Sequence, residues 1–396
     1  MYILWTWPLL ISTIFAFNHQ NCSVHGKTDP GWEFLQHLFL ENFHQEHDLG
    51  ASFAVYYEGK PVVDLWGGWF NELKSKPYDH DTLQIPFSTT KGLVATAVAL
   101  CVQRGLLNYS SPVRQYWPEY GQYGKENTTV ADILSHRAGL SSDISPFELA
   151  LNWTAIIHIL EQRKPEWTPG TAHGYHGLTY GWLTGELVRR VDPKKRTFGQ
   201  FIQDEITNPL KIEFYIGLPK EKEYRVSPLY FDSNVRNIID ERTLLELSVF
   251  NDYRYHQAEI PGVNGITNAR SVARLYASLL GDLDNRQQKR LLNEDIMKKA
   301  AKSNTPENEI DLVRGFPNVF AMGFQVFDKD LKAFGSGIFG HEGAGGSIGF
   351  AAPEKKLAFA YIVNKYGVKK NRQEISPRTQ DIIKHIAKII NKHPIY

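Results

Sequence analysis

The sequence predicts an α/β fold in which one antiparallel sheet is assembled from both ends of the chain. Two strand-like runs occur near the start, at residues 51–57 and 61–66. Similar runs return only after residue 315, at 348–352 and 357–363, and helical patterns dominate the region between. The simplest arrangement joins these strands into one sheet with flanking helices and inserts an all-α region between its two halves.

The first part of the chain contributes a helix, a hairpin and a second helix. Apolar residues at 32, 35, 39 and 43 recur at helical spacing and predict an amphipathic helix over 31–46. Glu58-Gly59-Lys60 is a turn sequence between the first two strands, which therefore form a β-hairpin. A buried helix is predicted next, because apolar residues recur at 94, 97, 98 and 101.

Loops rich in proline, glycine and asparagine separate the helical patterns of the central region. These patterns cover residues 129–135, 146–162, 178–191, 198–207, 240–248 and 271–280. Beyond them, residues 320–327 are predicted to form a strand, and regularly spaced isoleucines predict a closing helix over 381–392. The chain therefore divides into an α/β part at 30–110 and 315–396 and a helical part at 110–310.

Composition narrows the possible functions. The 396 residues, 42% of them hydrophobic, supply a large core and allow one to three domains. A formal net charge of +1 gives no reason to expect nucleic acid as a partner. Two cysteines, Cys22 and Cys101, exclude a disulfide framework and a cysteine-based zinc site, and the core position expected for Cys101 argues against a bridge. No cofactor or metal is predicted, because His44 and His47 fit the end of a solvated helix better than a metal site.

An apolar leader covers residues 1–17 and is slightly short for a bilayer-spanning helix. It resembles a signal peptide, and an uncleaved signal anchor is the alternative; membrane contact is expected only in the second case. N-glycosylation sequons begin at Asn108, Asn127 and Asn152, with a fourth at Asn21. Together these features predict the secretory pathway, with an extracellular destination and membrane-anchored or lysosomal ones as alternatives.

The candidate chemistry begins with Ser88 and Lys91, an S-x-x-K pattern at the start of the buried helix. Three residues apart, the two side chains share one face of the first turn. A serine hydroxyl becomes a useful nucleophile when a base removes its proton, and a partly buried lysine can lose its own proton near neutrality. A serine at a helix N-terminus also has a backbone N–H that is free to stabilise an anion. Because S-x-x-K alone is common by chance, further motifs have to support it.

Two further motifs follow along the chain: Tyr175 and Gly177 form a Tyr-x-Gly, and His341 and Gly343 form a His-x-Gly. With the S-x-x-K pattern they resemble the serine β-lactamase/DD-peptidase superfamily, especially its class C-like branch with family VIII esterases and animal β-lactamase-domain proteins. The segments 132–140, 169–171 and 208–210 agree with this resemblance, which covers about residues 30–390. It implies an α/β sandwich plus an all-α part, with the active site in the cleft.

The resemblance implies roles for three side chains. Ser88 is the expected acylated nucleophile, although serine is also a common helix N-cap. Lys91 is the expected proton relay, because the otherwise apolar helix disfavours a surface position for it. Tyr175 is the expected second base, with its pKa lowered by Lys91, and it is preferred to the nearby Tyr180 because it holds the motif position.

Backbone groups and glycines complete the predicted site. By resemblance, the N–H of Ala344 forms an oxyanion hole with that of Ser88, and the glycines at 343, 345 and 346 are expected to leave this backbone bare for a substrate. His341 either contributes to substrate binding or is a structural histidine, and the sequence leaves both interpretations open. Ser347 lies in a G-x-S-x-G pattern, but no helix is predicted after it, so it is expected to be structural.

The leading hypothesis is a serine hydrolase that acts through an acyl-enzyme on small acyl substrates, namely carboxylic esters or small acyl amides. The alternative is a catalytically silent domain of the same fold that serves assembly or binding, and the oligomeric state is not predicted. Esters are preferred to β-lactams because Gly177 and His341 replace the asparagine and lysine usual in the second and third motifs. Glu342 would also repel the β-lactam carboxylate if it faces the cleft.

Overall fold

The computed structural model describes residues 22–369 and 374–392; the leader at 1–17 and the sequon at Asn21 lie outside them. Its main sheet consists of β1 (Val24–Thr28), β2 (Gly50–Tyr57), β3 (Lys60–Gly68), β6 (Gln325–Val326), β7 (Phe339–Glu342), β8 (Ile348–Ala352) and β9 (Leu357–Val363). These strands are antiparallel throughout, in the order β1-β3-β2-β9-β8-β7-β6. A small second sheet pairs β4 (Phe214–Tyr215) with β5 (Ile266–Thr267).

The sheet is assembled from both ends of the chain, as the sequence predicts. β2, from the N-terminal hairpin, pairs along its length with β9, so that Phe53 lies opposite Tyr361. The predicted α/β fold class is therefore confirmed. The sequence pattern gives no indication of β1 or β7, because β1 is a largely exposed edge strand and β7 contains a glycine and two polar residues.

Helices cover both faces of the sheet and fill the inserted region. They are α1 (Phe34–His44), α2 (Lys91–Gln103), α3 (Val130–Leu134), α4 (Trp153–Gln162), α5 (Thr179–Val191), α6 (Phe198–Ile202), α7 (Asn208–Leu210), α8 (Ser233–Ile238), α9 (Glu241–Ser248), α10 (Tyr253–Gln257), α11 (Ala269–Leu280), α12 (Glu294–Ala301) and α13 (Pro377–Lys392). A π-helical turn, Gln203–Thr207, joins α6 to α7. α11 falls within the predicted helical part, yet it packs on β2, β8 and β9.

Two predicted elements differ from the structure. The strand predicted over 320–327 is reduced to β6, because the chain reverses at Gly323 (φ 92°) and Phe320 pairs back with Gln325. The helix predicted over 146–162 is interrupted at Asn152, whose backbone is extended and whose side-chain oxygen caps α4 by accepting the Ala155 N–H. In both cases a local turn interrupts the element that the hydrophobic periodicity predicts.

The two faces of the sheet are packed with side chains of different size. Large residues such as Phe53 and Phe359 lie in the core shared with α1 and α13. Alanines such as Ala54 and Ala360 lie in the core shared with α2 and α11. Because side chains alternate along a strand, the small residues share one face and admit α11 close to the sheet. This close-packed layer supports α2, the helix that begins at Lys91.

Several expectations about the rest of the chain can also be compared with the structure. Cys22 and Cys101 are both free, and Cys101 is buried on α2 as expected. No helix within 22–369 or 374–392 combines the length and the apolar character needed to cross a membrane. The same residues contain no group of three or more His, Cys, Asp or Glu side chains placed to hold a metal ion.

Candidate active site

Ser88 lies in a short 3₁₀ turn, Phe87–Thr90, that leads directly into α2. The residue before it, Phe87, has a left-handed backbone (φ 47°), a conformation that costs of order 1–3 kcal/mol in a non-glycine residue. Its ring is held edge-on against Phe250 and Tyr366, with centroids 5.5 and 5.9 Å apart. Tertiary packing therefore fixes the strained turn that presents the serine.

Lys91 is completely buried, and its ammonium group has three oxygen partners. Nζ donates to Ser88 Oγ at 3.1 Å, to the Gly177 carbonyl at 2.7 Å and to the Gly262 carbonyl at 2.8 Å. No carboxylate pairs with it among the described residues, so burial dominates and lowers the pKa of Lys91. Gly177 thus contributes its carbonyl oxygen, a role that the sequence does not reveal.

Tyr175 completes a compact cluster, because its hydroxyl donates to Ser88 Oγ at 2.7 Å. Burial raises the pKa of Tyr175, but the positive charges of Lys91 and Arg314 outweigh this effect and bring it below its ordinary value. The Arg314 guanidinium carbon lies 3.9 Å from the centre of the Tyr175 ring. Tyr180, the alternative considered above, contacts the Gly323 carbonyl instead, and burial raises its pKa.

A loop before β6 fixes both Tyr175 and Arg314. Asp311 Oδ1 accepts the backbone N–H groups of Tyr175 at 3.0 Å and of Arg314 at 2.9 Å. The N–H of Leu312 donates to the His173 carbonyl at 2.9 Å. Sequence reasoning missed Asp311 and Arg314, because they lie in no motif and in no periodic element.

His136, in the segment 132–140, holds the loop that carries Tyr175. Its backbone is left-handed (φ 61°), its carbonyl accepts the Gly174 N–H at 3.0 Å, and Nδ1 accepts the His176 N–H at 3.1 Å. The His136 and Tyr175 ring centres are 4.8 Å apart. Burial keeps the pKa of His136 well below its ordinary value, so the ring is neutral and acts here through shape and hydrogen bonding.

His341 lies on β7 in the same aromatic cluster, with its ring centre 6.1 Å from that of Tyr175. Nδ1 donates to the Glu342 carbonyl at 2.7 Å, and Nε2 is buried without a partner among the described residues. Burial holds the pKa of His341 well below its ordinary value. The expectation that Glu342 repels anions needs correction, since its carboxylate is neutralised by Lys369 at 2.6 Å.

Ala344 is exposed in the tight turn between β7 and β8, which lies against the Ser88 turn. Neither its N–H nor that of Ser88 donates to an acceptor within the described part of the chain. Each of these two adjoining turns therefore carries an N–H group without an acceptor, and their pairing in an oxyanion hole stays a prediction.

The turn glycines are required by the protein's own packing, and the expectation that they also leave the backbone bare for a substrate stays a prediction. A Cβ at Gly343 would overlap the Pro86 carbonyl, and one at Gly346 would overlap the Arg378 guanidinium. Arg378 donates to the Gly345 carbonyl and pairs with the buried Asp48 at 2.8 Å. This arginine holds the turn from the C-terminal helix, a contact that the sequence does not indicate.

The comparisons with known proteins agree with this architecture. The Beta-lactamase family model matches residues 35–382. The chain belongs to the β-lactamase family. It is 30% identical over 383 aligned positions to the esterase/β-lactamase LipL of Mycobacterium tuberculosis, covering 86% of this chain and 83% of LipL.

Solved structures of similar proteins superpose closely on this β-lactamase-family chain. A family VIII carboxylesterase matches with a TM-score of 0.83 and 30% identity, covering 93% of this chain and all of that one. A penicillin-binding protein homologue from Caulobacter crescentus matches with a TM-score of 0.80 and 32% identity, covering 92% and 100%. The protein is a serine hydrolase with the β-lactamase/transpeptidase-like fold.

Proposed function

We propose that this protein hydrolyses carboxylic esters, or small acyl amides, through an acyl-enzyme on Ser88. The observation that carries the proposal is the cluster in which Ser88 Oγ lies 3.1 Å from Lys91 Nζ and 2.7 Å from the Tyr175 hydroxyl. A nucleophile with two basic groups in hydrogen-bond reach has the geometry that acyl transfer requires. The esterases among the relatives support the choice of substrate.

In the proposed reaction, Tyr175 as phenolate accepts the Ser88 proton while Oγ attacks the carbonyl carbon of the ester. The tetrahedral intermediate collapses, the bond to the leaving alkoxide breaks, and Tyr175 returns the proton to that alkoxide. Water then attacks the acyl-enzyme, and the same group accepts its proton and gives it back to Ser88. Lys91 stabilises the phenolate throughout and relays protons within the cluster.

The negative charge that develops on the carbonyl oxygen is assigned to the free N–H groups of Ser88 and Ala344. Losing one such donor typically costs about 10²–10³ in kcat. Arg378 then acts as a positioning residue, because its bond to Gly345 fixes the turn that carries Ala344.

We infer a preference for esters over β-lactams from two positions. Gly177 offers no side-chain amide to the substrate, and the neutral His341 offers no charge to a β-lactam carboxylate. A hydrogen bond to a charged group contributes about 1.5–3 kcal/mol, so its loss weakens binding more than tenfold. Esters need neither interaction, which leaves their hydrolysis intact.

The preference is tested by comparing a short-chain nitrophenyl ester with a chromogenic cephalosporin on the purified protein. We expect kcat/KM for the ester to be the larger. Gly177→Asn should move the ratio toward the cephalosporin, and a Cβ at this position meets no overlap, since the nearest atom is 3.9 Å away. Combining Gly177→Asn with His341→Lys should move the ratio further toward the cephalosporin. Equal or faster cephalosporin turnover by the wild type would refute the preference.

The catalytic role of Ser88 is tested with a fluorophosphonate probe. We expect labelling of the wild type, loss of labelling in Ser88→Ala, and retained labelling in Ser347→Ala, the serine of the G-x-S-x-G pattern. Ser347 is 2% exposed and its Oγ accepts the Val363 N–H, so it serves as the matched structural serine. A folded wild type that takes up no probe would favour the alternative of a silent domain used for assembly or binding.

We also propose that the protein enters the secretory pathway, with residues 1–17 as its signal peptide or anchor. Asn108, Asn127 and Asn152 are all exposed, which supports their use as glycosylation sites. Expression in animal cells followed by glycosidase digestion should shift the protein to a lower apparent mass. An unshifted cytosolic product would contradict this assignment.

A further inference from the structure

Asp311 is a completely buried carboxylate in the loop before β6, and its two oxygens are used unequally. Oδ1 accepts three backbone N–H groups, that of Tyr175 at 3.0 Å and those of Val313 and Arg314 at 2.9 Å. Oδ2 is buried without a partner among the described residues. Burial of a carboxylate that forms no ion pair has to be offset by hydrogen bonds, and here all of them converge on Oδ1.

The hydrogen bonds of Asp311 join two segments of the chain, each of which carries a group of the candidate site. Beside them, the Leu312 N–H donates to the His173 carbonyl at 2.9 Å. The His173 ring donates to Glu309, two residues before Asp311. Of these contacts between the two segments, only the bond from the Tyr175 N–H to Asp311 reaches a residue of the proposed mechanism.

The side chain of Arg314 has no polar anchor of its own. It is half-buried, borders a cavity of about 430 Å³ and forms neither an ion pair nor a side-chain hydrogen bond with the described residues. The guanidinium carbon lies 3.9 Å from the centre of the Tyr175 ring. A single cation–π contact restrains a long side chain weakly. The position of the charge therefore depends on the backbone of Arg314, which Asp311 holds at the residue's own N–H.

The charge of Arg314 is one of two positive charges that act on Tyr175. Titratable groups face this tyrosine from every element packed around it, namely Lys91 on α2, His136 after α3, Tyr180 on α5, His341 on β7 and Arg314. Burial keeps the pKa values of the two histidines well below and that of Tyr180 well above their ordinary values, so all three are uncharged near neutrality. Lys91 is fixed by three oxygen partners, which leaves Arg314 as the charge whose distance from Tyr175 can change.

We propose that Asp311 is a positioning residue that keeps Arg314 over the Tyr175 ring through one carboxylate oxygen. The proposal rests on the proposed function, since it assigns a part in the same reaction. It requires Asp311 to act on Tyr175 against the sign of its own charge. A nearby carboxylate raises the pKa of a phenol directly, whereas a carboxylate that holds an arginine over the ring lowers it. Removing Asp311 therefore shifts the titration of Tyr175 in opposite directions in the two cases.

Asp311→Ala tests this sign, because it removes all three hydrogen bonds and releases the backbone of Arg314. We expect the acid limb of kcat/KM for a nitrophenyl ester to move to higher pH, as in Arg314→Gln. In the double variant Asp311→Ala/Arg314→Gln the acid limb should lie no higher than in Arg314→Gln alone, since Asp311 has no arginine left to hold. An acid limb that stays in place or moves to lower pH in Asp311→Ala overturns the proposal and leaves ester hydrolysis standing. A larger upward shift in the double variant than in Arg314→Gln also overturns it.

Two substitutions separate the placement of Oδ1 from the charge of the side chain. Asp311→Asn keeps an acceptor at this position without the charge, and its acid limb should not move to higher pH. Asp311→Glu keeps the charge but displaces the acceptor by one methylene, so its acid limb should move to higher pH. This variant takes the place of Asp311→Ala if the alanine variant does not fold.

Asp192→Ala is the matched control for a purely structural role. Asp192 is 1% exposed, and its carboxylate accepts the backbone N–H groups of Lys194 and Arg196 in the loop between α5 and α6. Its removal should lower the free energy of unfolding in urea without moving the acid limb. An acid limb that moves equally in Asp192→Ala and Asp311→Ala would make the effect a consequence of lost stability and overturn the positioning role.

An ultraviolet titration of the Tyr175 phenolate separates this proposal from the proposed function, because it needs no substrate. The difference in absorbance between wild type and Tyr175→Phe isolates this residue from the other tyrosines, and Asp311→Ala is compared in the same way with Asp311→Ala/Tyr175→Phe. If the wild type hydrolyses no ester, the proposed function fails and this titration alone decides the role of Asp311. We expect the phenolate to form at higher pH in Asp311→Ala. Formation at unchanged or lower pH overturns the positioning role.

Discussion

Two lysines, Lys91 and Lys125, are buried in similar cages at different places in the molecule. Neither is exposed, and each Nζ donates to two backbone carbonyl oxygens. Each also lies over two tyrosine rings, at 5.0 and 5.6 Å for Lys91 and at 5.4 and 5.5 Å for Lys125. Burial lowers the pKa of both, that of Lys125 to about 8.

The two cages differ in the third partner of the ammonium group. Lys91 reaches Ser88 Oγ, which also receives the Tyr175 hydroxyl, whereas Lys125 reaches no hydroxyl among the described residues. Burial and a lowered lysine pKa are therefore common to a structural and a candidate catalytic lysine. The candidate catalytic lysine differs in one respect. Its ammonium group contacts a hydroxyl that is also hydrogen-bonded to a second titratable group.

The largest expected effect comes from removing the two ammonium groups in turn. Lys91→Met should lower kcat/KM for a nitrophenyl ester by about 10³-fold or more, since the Tyr175 phenolate loses the charge that stabilises it and the cluster loses its proton relay. Lys125→Met should change kcat/KM less than twofold. Both variants leave two carbonyls unpaired, so both should lose about 1–3 kcal/mol of unfolding free energy in urea. A comparable loss of activity in both would make Lys91 merely structural.

The tyrosines that flank the two lysines should differ almost as strongly. Tyr175→Phe removes the hydroxyl at Ser88 and should lower kcat by about 10²–10³, with a smaller change in KM. Tyr123→Phe alters a ring near Lys125 whose hydroxyl contacts Gln162, and it should have no effect on kcat. Steady-state kinetics at saturating ester measures both. A Tyr175→Phe enzyme with wild-type kcat would exclude Tyr175 as a base.

Arg314 makes the environment of Lys91 more positive, and its removal should change the pH profile. Its charge lowers the pKa values of both Tyr175 and Lys91, and the proposed base must be deprotonated. Arg314→Gln therefore raises these pKa values, and the acid limb of kcat/KM should move to higher pH. Arg242→Gln, a change at an 83% exposed side chain, is the control. A shift to lower pH would reverse the assigned electrostatics.

The smallest effect concerns the neutral histidines near Tyr175. Burial lowers the pKa of His176 to about 4, below the value of about 6.5 expected in the unfolded chain. The unfolded state therefore binds more protons between these values, and folding stability falls as pH drops from 6.5 toward 4. This loss amounts to about 1 kcal/mol between pH 6.5 and 5.5 and at most about 1.4 kcal/mol per pH unit, and His176→Gln should remove it. Urea unfolding at pH 6.5 and 5.5 measures it, and His158→Gln, 72% exposed, should leave the slope unchanged.

Features that repeat along one element, or that involve residues close in the chain, are predictable from the amino-acid sequence. Alternation and helical spacing located β2, β9, α2 and α13 to within a few residues. Ser88 and Lys91 are neighbours on one turn, so their spacing was sufficient to place them together. Tyr175 belongs to a distant loop, and no local pattern selects it. It was identified because the order of the three motifs resembles that of the β-lactamase superfamily.

The groups that set the electrostatics of the site are identified by the folded chain and not by its sequence. The Gly177 and Gly262 carbonyls that hold Lys91 are 86 and 171 residues away in the chain. Arg314 and Arg378 act through a ring face and a turn carbonyl, contacts that leave no periodic signature in sequence. Backbone carbonyls are present at every residue, and a charge acts through space. Their effect on Ser88 therefore exists only once the chain has brought them within a few ångströms.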